Sequence, residues 1–320
     1  MHHSVAMEKG DLAALFRWLL LASAPLLGSC SEPYPPCNTP EMVVTAPYDP
    51  ADGGIDGGIT DAGVLDLCQR IVQRSVRIKE CALVPADGGT VVRVVYADYC
   101  VGGRCPDGFR AAIRSSGTNE LGMWLAGSAE LEAASVDAFQ ILAGELTAHR
   151  APARLVFAAR EAAGDEARHA RIMGALASRH GGSPRAVRVA RRPTRDLEAI
   201  ALENAVEGCV RETFAALVAC RQARVATDPA IRAAMAGIAQ DETRHATLAW
   251  AVARWADGQL SPAARGRVRQ AREAARDALV AEVARPQVPA LRDAAGLPDA
   301  DEAVRLASAL FENLARRPTS

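Results

Sequence analysis

The chain has 320 residues, which is enough for one large domain or two small ones. Its 37 Lys and Arg residues nearly balance its 38 Asp and Glu residues, so the net charge of -1 gives no general attraction to nucleic acid, and we expect no nucleic-acid partner. Aromatic residues make up 4% of the chain and Ala is abundant, which favours closely packed helices over a β-sandwich.

The first thirty residues are typical of an export signal. Arg17 precedes an apolar run, residues 18–27, that is too short to span a bilayer, because a spanning helix takes about 20 apolar residues. A cleaved signal peptide over residues 1–30 is therefore the better interpretation.

The end of this run, Leu27-Gly28-Ser29-Cys30, resembles the bacterial lipobox. The resemblance implies that Cys30 carries a lipid and that the mature protein is a lipoprotein of the bacterial cell envelope. The N-terminal lipid would then anchor it to a membrane, on the periplasmic side or in the outer membrane. The alternative is an ordinary cleaved signal that leaves Cys30 as a plain thiol.

Two segments of different composition follow the signal. Residues 31–64 are rich in Pro, Gly and Asp, which predicts a tether between the membrane and the folded part of the chain. In residues 65–116, the strand-like run 90–96 follows an Asp-Gly-Gly turn and predicts a β-hairpin with residues 82–84. This second segment also contains four Cys, and the eight Cys of the whole chain suit an oxidising compartment. We expect a small disulfide-stapled subdomain that contains Cys68, Cys81, Cys100 and Cys105, with the disulfide connectivity left open.

From about residue 119 the pattern becomes helical. Residues 119–257 are expected to form the main helical domain, and residues 258–320 a C-terminal helical extension. Asp228-Pro229 and Ser261-Pro262 each place a capping residue before a Pro at the first helical position. The predicted helices cover about 120–149, 152–180, 194–226, 229–257, a helix beginning at 262, and 300–316.

The links between these helices predict a topology. Tight breaks separate the first helix from the second and the third from the fourth, whereas a longer link, about 181–193, separates the two pairs. Two helical hairpins joined by one long crossover form the ferritin-like four-helix bundle. The fold class that we expect is therefore mainly α: this bundle, a small Cys-rich N-terminal segment with a β-hairpin, and extra C-terminal helices.

The second and fourth predicted helices carry the same motif. Asp165-Glu166-Ala167-Arg168-His169 recurs as Asp241-Glu242-Thr243-Arg244-His245. The preceding helix of each pair supplies a Glu at a matched distance, 34 residues before Glu166 and 35 residues before Glu242. These residues are Glu132 and Glu207.

This spacing predicts a metal site. Residues three apart lie on one face of a helix, so the Glu and the His of each motif point the same way. Folding each pair into a hairpin brings four carboxylates and two imidazoles together in the core. Burying four carboxylates without cations costs several kcal/mol per charge, and two divalent ions balance the charge of four Glu residues. Surface ion pairs are the alternative, which the doubling of the whole pattern disfavours.

With these motifs, residues 119–257 resemble the ferritin-like di-iron carboxylate superfamily, which includes rubrerythrins, bacterial multicomponent monooxygenases, ribonucleotide reductase small subunits and acyl-carrier desaturases. The resemblance implies that Glu132 and Glu207 are terminal ligands of two iron or manganese ions. It also implies that Glu166 and Glu242 bridge the metals and that each His gives one nitrogen to one metal. The metal-bound imidazoles would be those of His169 and His245. The resemblance further implies that Asp165 and Asp241 accept hydrogen bonds from the N–H groups of these imidazoles and so orient the rings.

The third predicted helix offers a second candidate ligand. Glu212 lies five residues after Glu207, which is about 140° around an α-helix, so the two side chains cannot both point straight inward. Glu212 therefore stays open as an alternative or additional ligand.

Three functions stay open from the sequence. The first is a di-iron oxidoreductase, because carboxylate and imidazole ligands suit iron or manganese and the resemblance implies reactions with oxygen or peroxide. The chain has no Cys-x-x-Cys pair for a rubredoxin-type electron donor, so the electrons would come from an external donor. The second is a metal-handling protein for ferrous oxidation, sequestration or sensing. The third is a lipoprotein whose metal pair is purely structural.

Overall fold

The protein is mainly helical in a computed structural model, with a small three-stranded antiparallel sheet in the N-terminal region. The chain divides into two units. The structure describes residues 12, 14–17, 42–47, 71, 76–86, 89–98, 109–110, 116–189, 193–284 and 287–316.

The smaller unit covers Cys37–Cys100 and Asp107–Arg110. The predicted hairpin is confirmed, because β2 and β3 pair in antiparallel fashion with Val84 opposite Val91. At the turn Gly89 has a φ of +146°, a conformation that suits glycine. The strands of this unit are β1 (Met42–Pro47), β2 (Val76–Ala86), β3 (Gly89–Asp98) and β4 (Phe109–Arg110), with β3 between β1 and β2.

Strand β1 falls within residues 31–64, the segment for which the composition predicts a tether. It pairs with β3 along its whole length, from Met42 opposite Tyr96 to Pro47 opposite Val91. Its Val-Val-Thr core is β-branched and favours a strand, but the surrounding Pro and Gly residues dominate the composition. Cys81 on β2 is disulfide-bonded.

The larger unit contains the helical part of the chain. A π-helical stretch, Asn204–Glu212, interrupts its third long helix and is called the π segment below. The helices are α1 (Glu120–Ala148), α2 (Ala153–Arg179), α3 (Leu197–Glu203), α4 (Thr213–Val225), α5 (Pro229–Asp257), α6 (Pro262–Val283), α7 (Pro289–Ala294) and α8 (Ala300–Arg316). Its short strands are β5 (Ser116–Gly117), β6 (Gly182–Ser183) and β7 (Arg188–Val189).

Local capping explains where these helices begin. The Asp228 side chain accepts hydrogen bonds from the first backbone N–H groups of α5, and Ser261 does the same for α6. Helix α3 begins later than predicted, because Asp196 rather than Thr194 is the N-cap and accepts from Ala199 N at 2.8 Å.

The long helices pack in pairs. Helix α1 contacts α2, α4 contacts α5, and α2 also contacts α5. The π segment packs on α5 on one side and on α6 on the other. This arrangement brings the two Asp-Glu-x-Arg-His motifs, on α2 and α5, next to each other.

One apolar cluster joins the C-terminal helices to the rest of the larger unit. Leu279 of α6 and Leu310 of α8 are buried in it with Phe214 of α4. The cluster also includes three residues from the predicted signal peptide: Leu12, Leu15 and Phe16. Among the residues that the structure describes, no helix is both long and apolar enough to cross a membrane.

Candidate metal centre

Six acidic and imidazole side chains meet inside the larger unit. They form two groups of four, and within each group one ligand atom per residue lies within 4.8 Å of the others. Glu166 and Glu242 belong to both groups, so the two groups have these two carboxylates in common, which is called their shared edge below. The first group adds Glu132 and His169, and the second adds Glu212 and His245.

All six side chains are buried. Glu166 and Glu212 have 0% of their surface exposed, and Glu132, the most exposed of the six, has 8%. All four carboxylate oxygens of Glu166 and Glu242 lack a hydrogen bond from any described group. Since a buried carboxylate without a partner is costly, these oxygens are suitably placed to bind a cation.

The two imidazoles are held by the Asp of the opposite motif. His169 Nε2 lies 3.0 Å from Asp241 Oδ2, and His245 Nε2 lies 3.3 Å from Asp165 Oδ2. When a ring donates from Nε2 and loses the proton on Nδ1, its Nδ1 becomes a metal-ligand atom. These Nδ1 atoms lie near the shared carboxylates, 3.2 Å from Glu242 for His169 and 3.2 Å from Glu166 for His245.

Two arginines join the two Asp residues into one network. Arg168 donates to Asp165 at 2.7 Å and to Asp241 at 2.8 Å. Arg244 donates to Asp165 at 2.8 Å and also pairs with Asp241 at 2.5 Å. Although both arginines are partly exposed, they bond the same carboxylates that orient the imidazoles.

This network keeps both Asp residues charged. Burial by itself would raise the pKa of Asp165, but hydrogen bonds from His245, Arg168 and Arg244 outweigh it and hold the pKa below its ordinary range. The pKa of Asp241 is also lowered, because its bond to His169 and the charge of Arg244 outweigh its burial. Each Asp therefore remains an acceptor for an imidazole N–H at neutral pH.

The buried carboxylates and imidazoles of the site shift one another's pKa values. Burial raises the pKa of Glu132, and the nearby charge of Glu166 raises it further. Burial would lower the pKa of His169 and His245, but the surrounding carboxylates raise both pKa values well above their ordinary range. Metal ligands must be deprotonated, so a cation that binds there would displace the protons on these groups.

The π segment decides which Glu of the third helix reaches the site. The expected continuous α-helix is wrong for Asn204–Glu212, which is π-helical. In a π-helix the hydrogen bonds run from residue i to residue i+5, so Glu212 lies about one turn beyond Glu207 instead of 140° around the helix. Glu212 joins the second group, whereas Glu207 belongs to neither group.

Glu207 is nevertheless buried, with 6% of its surface exposed. Its Oε1 lies 3.9 Å from Nε of Arg211. The structure thus brings Glu166, His169, Glu242 and His245 of the two motifs together with Glu132 of α1. It adds Glu212 in the place that the sequence spacing assigned first to Glu207.

Two aspects of the site escaped the sequence analysis. One is the crossed pairing, in which the Asp of each motif holds the His of the other; the identical position of Asp and Arg in both motifs was the available signal. The other is the π segment, for which the sequence carried no signal that we recognised. Comparisons with known protein families, with curated proteins and with solved structures gave no match.

Proposed function

We propose that this chain is a ferritin-like di-metal carboxylate protein that binds two iron or manganese ions and is redox-active toward oxygen or peroxide. The observation that carries the proposal is the pair of buried Glu/His groups with Glu166 and Glu242 in common. Two groups with a common edge suit two ions bridged by shared carboxylates, which is the arrangement of ferritin-like di-metal proteins.

Each group supplies a matching set of ligands. Glu132 and Nδ1 of His169 would serve one ion, Glu212 and Nδ1 of His245 would serve the other, and the two shared carboxylates would bridge them. Four carboxylates and two imidazoles suit iron or manganese better than a soft, thiolate-binding metal. Two divalent ions would balance the charge of the four carboxylates. Glu207 is proposed as a neighbour of this set rather than a member.

The residues around the ligands determine what the site can do. The Asp–Arg network fixes the ring orientation of both imidazoles, which raises their basicity as ligands. Because each of the six side chains is 8% exposed or less, the site suits a small oxidant such as oxygen or peroxide better than a large organic substrate. When bound, an iron or manganese pair supplies electron transfer to such an oxidant, and an external donor would restore the electrons.

Reactivity of the reconstituted protein tests this function. The full chain is loaded with ferrous iron under anaerobic conditions, and the consumption of oxygen or of hydrogen peroxide is then followed. The proposal predicts consumption that a Glu166→Ala/Glu242→Ala variant lacks. Oxidation of ferrous iron followed by release of ferric product would instead identify a metal-handling protein, and an inert metal-loaded protein would identify a structural site.

We also propose that the chain is a lipoprotein anchored through Cys30 in a bacterial cell envelope. Cys30 lies outside the described residues. Leu12, Leu15 and Phe16 are buried in the apolar cluster of α4, α6 and α8, and cleavage before Cys30 would remove them. Mass spectrometry of the mature N-terminus distinguishes a chain that begins at a lipid-bearing Cys30 from a chain that keeps residues 12–16. A diacylated or triacylated Cys30 supports the proposal, and an intact residue 12–16 segment in the mature protein contradicts it.

A further inference from the structure

An ion pair with a buried arginine joins the C-terminal helix α6 to the π segment. The guanidinium of Arg211 donates two hydrogen bonds to the carboxylate of Glu282, from Nη1 to Oε2 at 2.9 Å and from Nη2 to Oε1 at 2.9 Å. Arg211 has 5% of its surface exposed. A two-point Arg–carboxylate contact fixes both position and orientation, which a single hydrogen bond does not.

The position of this pair in the chain gives it a role in the candidate metal centre. Arg211 directly precedes Glu212, the π-segment member of the group that contains His245. Its Nε also approaches Glu207, at 3.9 Å. An arginine held from outside by Glu282 therefore fixes the backbone immediately before the candidate ligand.

A second contact holds the backbone immediately after Glu212. The Thr213 hydroxyl donates to the backbone carbonyl of Gly208 at 3.1 Å, five residues earlier, which is the spacing of a π-helix. Trp250 of α5 in turn donates from Nε1 to the same hydroxyl at 3.2 Å. The guanidinium of Arg272, on α6, lies 5.4 Å from the Trp250 ring centre, within the range of a cation–π contact. Helix α6 thus supports the π segment on both sides of Glu212.

We infer that α6 is part of the metal centre, with Arg211 and Glu282 as positioning residues that hold the π segment so that Glu212 reaches the His245 group. This inference rests on the proposed metal-binding function. Without the pair, the π segment would be free to return to an α-helical register, and Glu212 would turn away from the group. The ion that uses Glu212 and His245 would then be affected, and the ion that uses Glu132 and His169 would not.

A cobalt(II) titration of the full chain tests the inference, because the absorption bands of bound cobalt report each metal environment separately from protein stability. The wild type should bind two equivalents. Glu282→Gln should weaken one equivalent about tenfold or more and change its absorption spectrum, while the other equivalent keeps its affinity. Glu282→Asp, which keeps the charge, should recover part of the loss.

The chain offers a matched control. Arg221 on α4 and Glu302 on α8 form a similar two-point pair between a bundle helix and a C-terminal helix, outside the π segment. Glu302→Gln should leave both cobalt equivalents unchanged. Equal weakening by Glu302→Gln and Glu282→Gln would overturn the inference, since it would show a general loss of packing.

The remaining outcomes separate this inference from the proposed function. Two unaltered equivalents in Glu282→Gln would overturn the positioning role and leave the metal-binding proposal standing. A wild type that binds no cobalt would overturn both. If Glu282→Gln fails to fold, Trp250→Phe removes the hydrogen bond to Thr213 without exposing a buried charge. It should weaken the same single equivalent, and unchanged binding in that variant would overturn the inference.

Discussion

The two helical pairs of the larger unit carry the same motif on different backbones. Helix α1, which precedes the first motif, is a continuous α-helix of 29 residues. The corresponding part of the second pair runs from α3 through the π segment to α4. As a result, the first pair brings in Glu132, the residue that the spacing of the repeat selects, whereas the second brings in Glu212 rather than Glu207, the aligned counterpart of Glu132.

This difference shows what a sequence repeat does and does not determine. The Glu and His of each motif lie three residues apart on one α-helix, so their common face follows from local geometry alone. The partner Glu comes from another helix, and its identity depends on the hydrogen-bond register of that helix. In a π-helix the hydrogen bonds run from residue i to residue i+5, so each later residue is rotated by part of a turn relative to its place in an α-helix. A different Glu can therefore face the motif.

The largest expected effect comes from the residues that both pairs share. Glu166→Ala combined with Glu242→Ala should abolish the binding of both metal ions, because each group loses two of its four members. Elemental analysis of purified, reconstituted protein measures the effect. Glu161→Ala, on the exposed face of the same helix as Glu166, is the control and should retain wild-type metal content. A double variant that keeps more than one equivalent would contradict the shared-edge arrangement.

Two single variants in the π segment test whether the second helical pair supplies Glu212 and not Glu207. Glu212→Ala should lose one of the two metal equivalents, because it removes a member of the second group. Glu207→Ala should keep both, because its side chain belongs to neither group. Isothermal titration with manganese distinguishes them. The reverse result would mean that the second pair uses the aligned Glu after all, and that the π segment does not set the ligand.

The crossed imidazole contacts predict a smaller and more specific effect. Asp165→Asn should weaken the ion on His245, and Asp241→Asn the ion on His169, each by about 10- to 100-fold. The reason is that each Asp orients the ring of the opposite motif. Cobalt absorption spectra of the two variants should therefore change in different bands. If each variant perturbed the His of its own motif, the crossed pairing would be wrong.

The smallest expected effect concerns the stability of the metal-free protein in acid. The folded pKa of Asp165 is lowered from an ordinary value of 3.8, so its contribution to the free energy of unfolding is fully present above about pH 4 and is lost as the pH falls below it. Asp165→Asn lacks this contribution at every pH. Urea unfolding between about pH 5 and pH 3 should therefore show a smaller loss of stability for the variant than for the wild type. Parallel losses would show that Asp165 has no lowered pKa in the fold.

Much of the helical part could be predicted because its signals are local. Asp228-Pro229 and Ser261-Pro262 mark the starts of α5 and α6, and the structure begins both helices at those Pro residues. The doubled motif likewise identified the members of the two groups that α2 and α5 supply. Asp196 rather than Thr194 as the cap of α3 is a shift of two residues, within the usual uncertainty of helix ends.

The features that could not be predicted depend on contacts between distant parts of the chain. The π segment is held by Glu282 and by Trp250, which lie 71 and 37 residues beyond their partners Arg211 and Thr213. Strand β1 forms because β3 offers it a partner, and the Pro and Gly residues around it led to the prediction of a tether instead of a strand.

The thiols of Cys209 and Cys220 do not form a disulfide with each other, which agrees with their separation on the helix.

Anomalous scattering from crystals of the manganese- or iron-loaded protein tests the central claim most directly, since it locates each metal without assuming its ligands. The account predicts two peaks of similar height between Glu166 and Glu242, one beside Nδ1 of His169 and the other beside Nδ1 of His245. Glu212 should contact the second peak. No peak among these side chains, or one peak bound by Glu207 in place of Glu212, would contradict it.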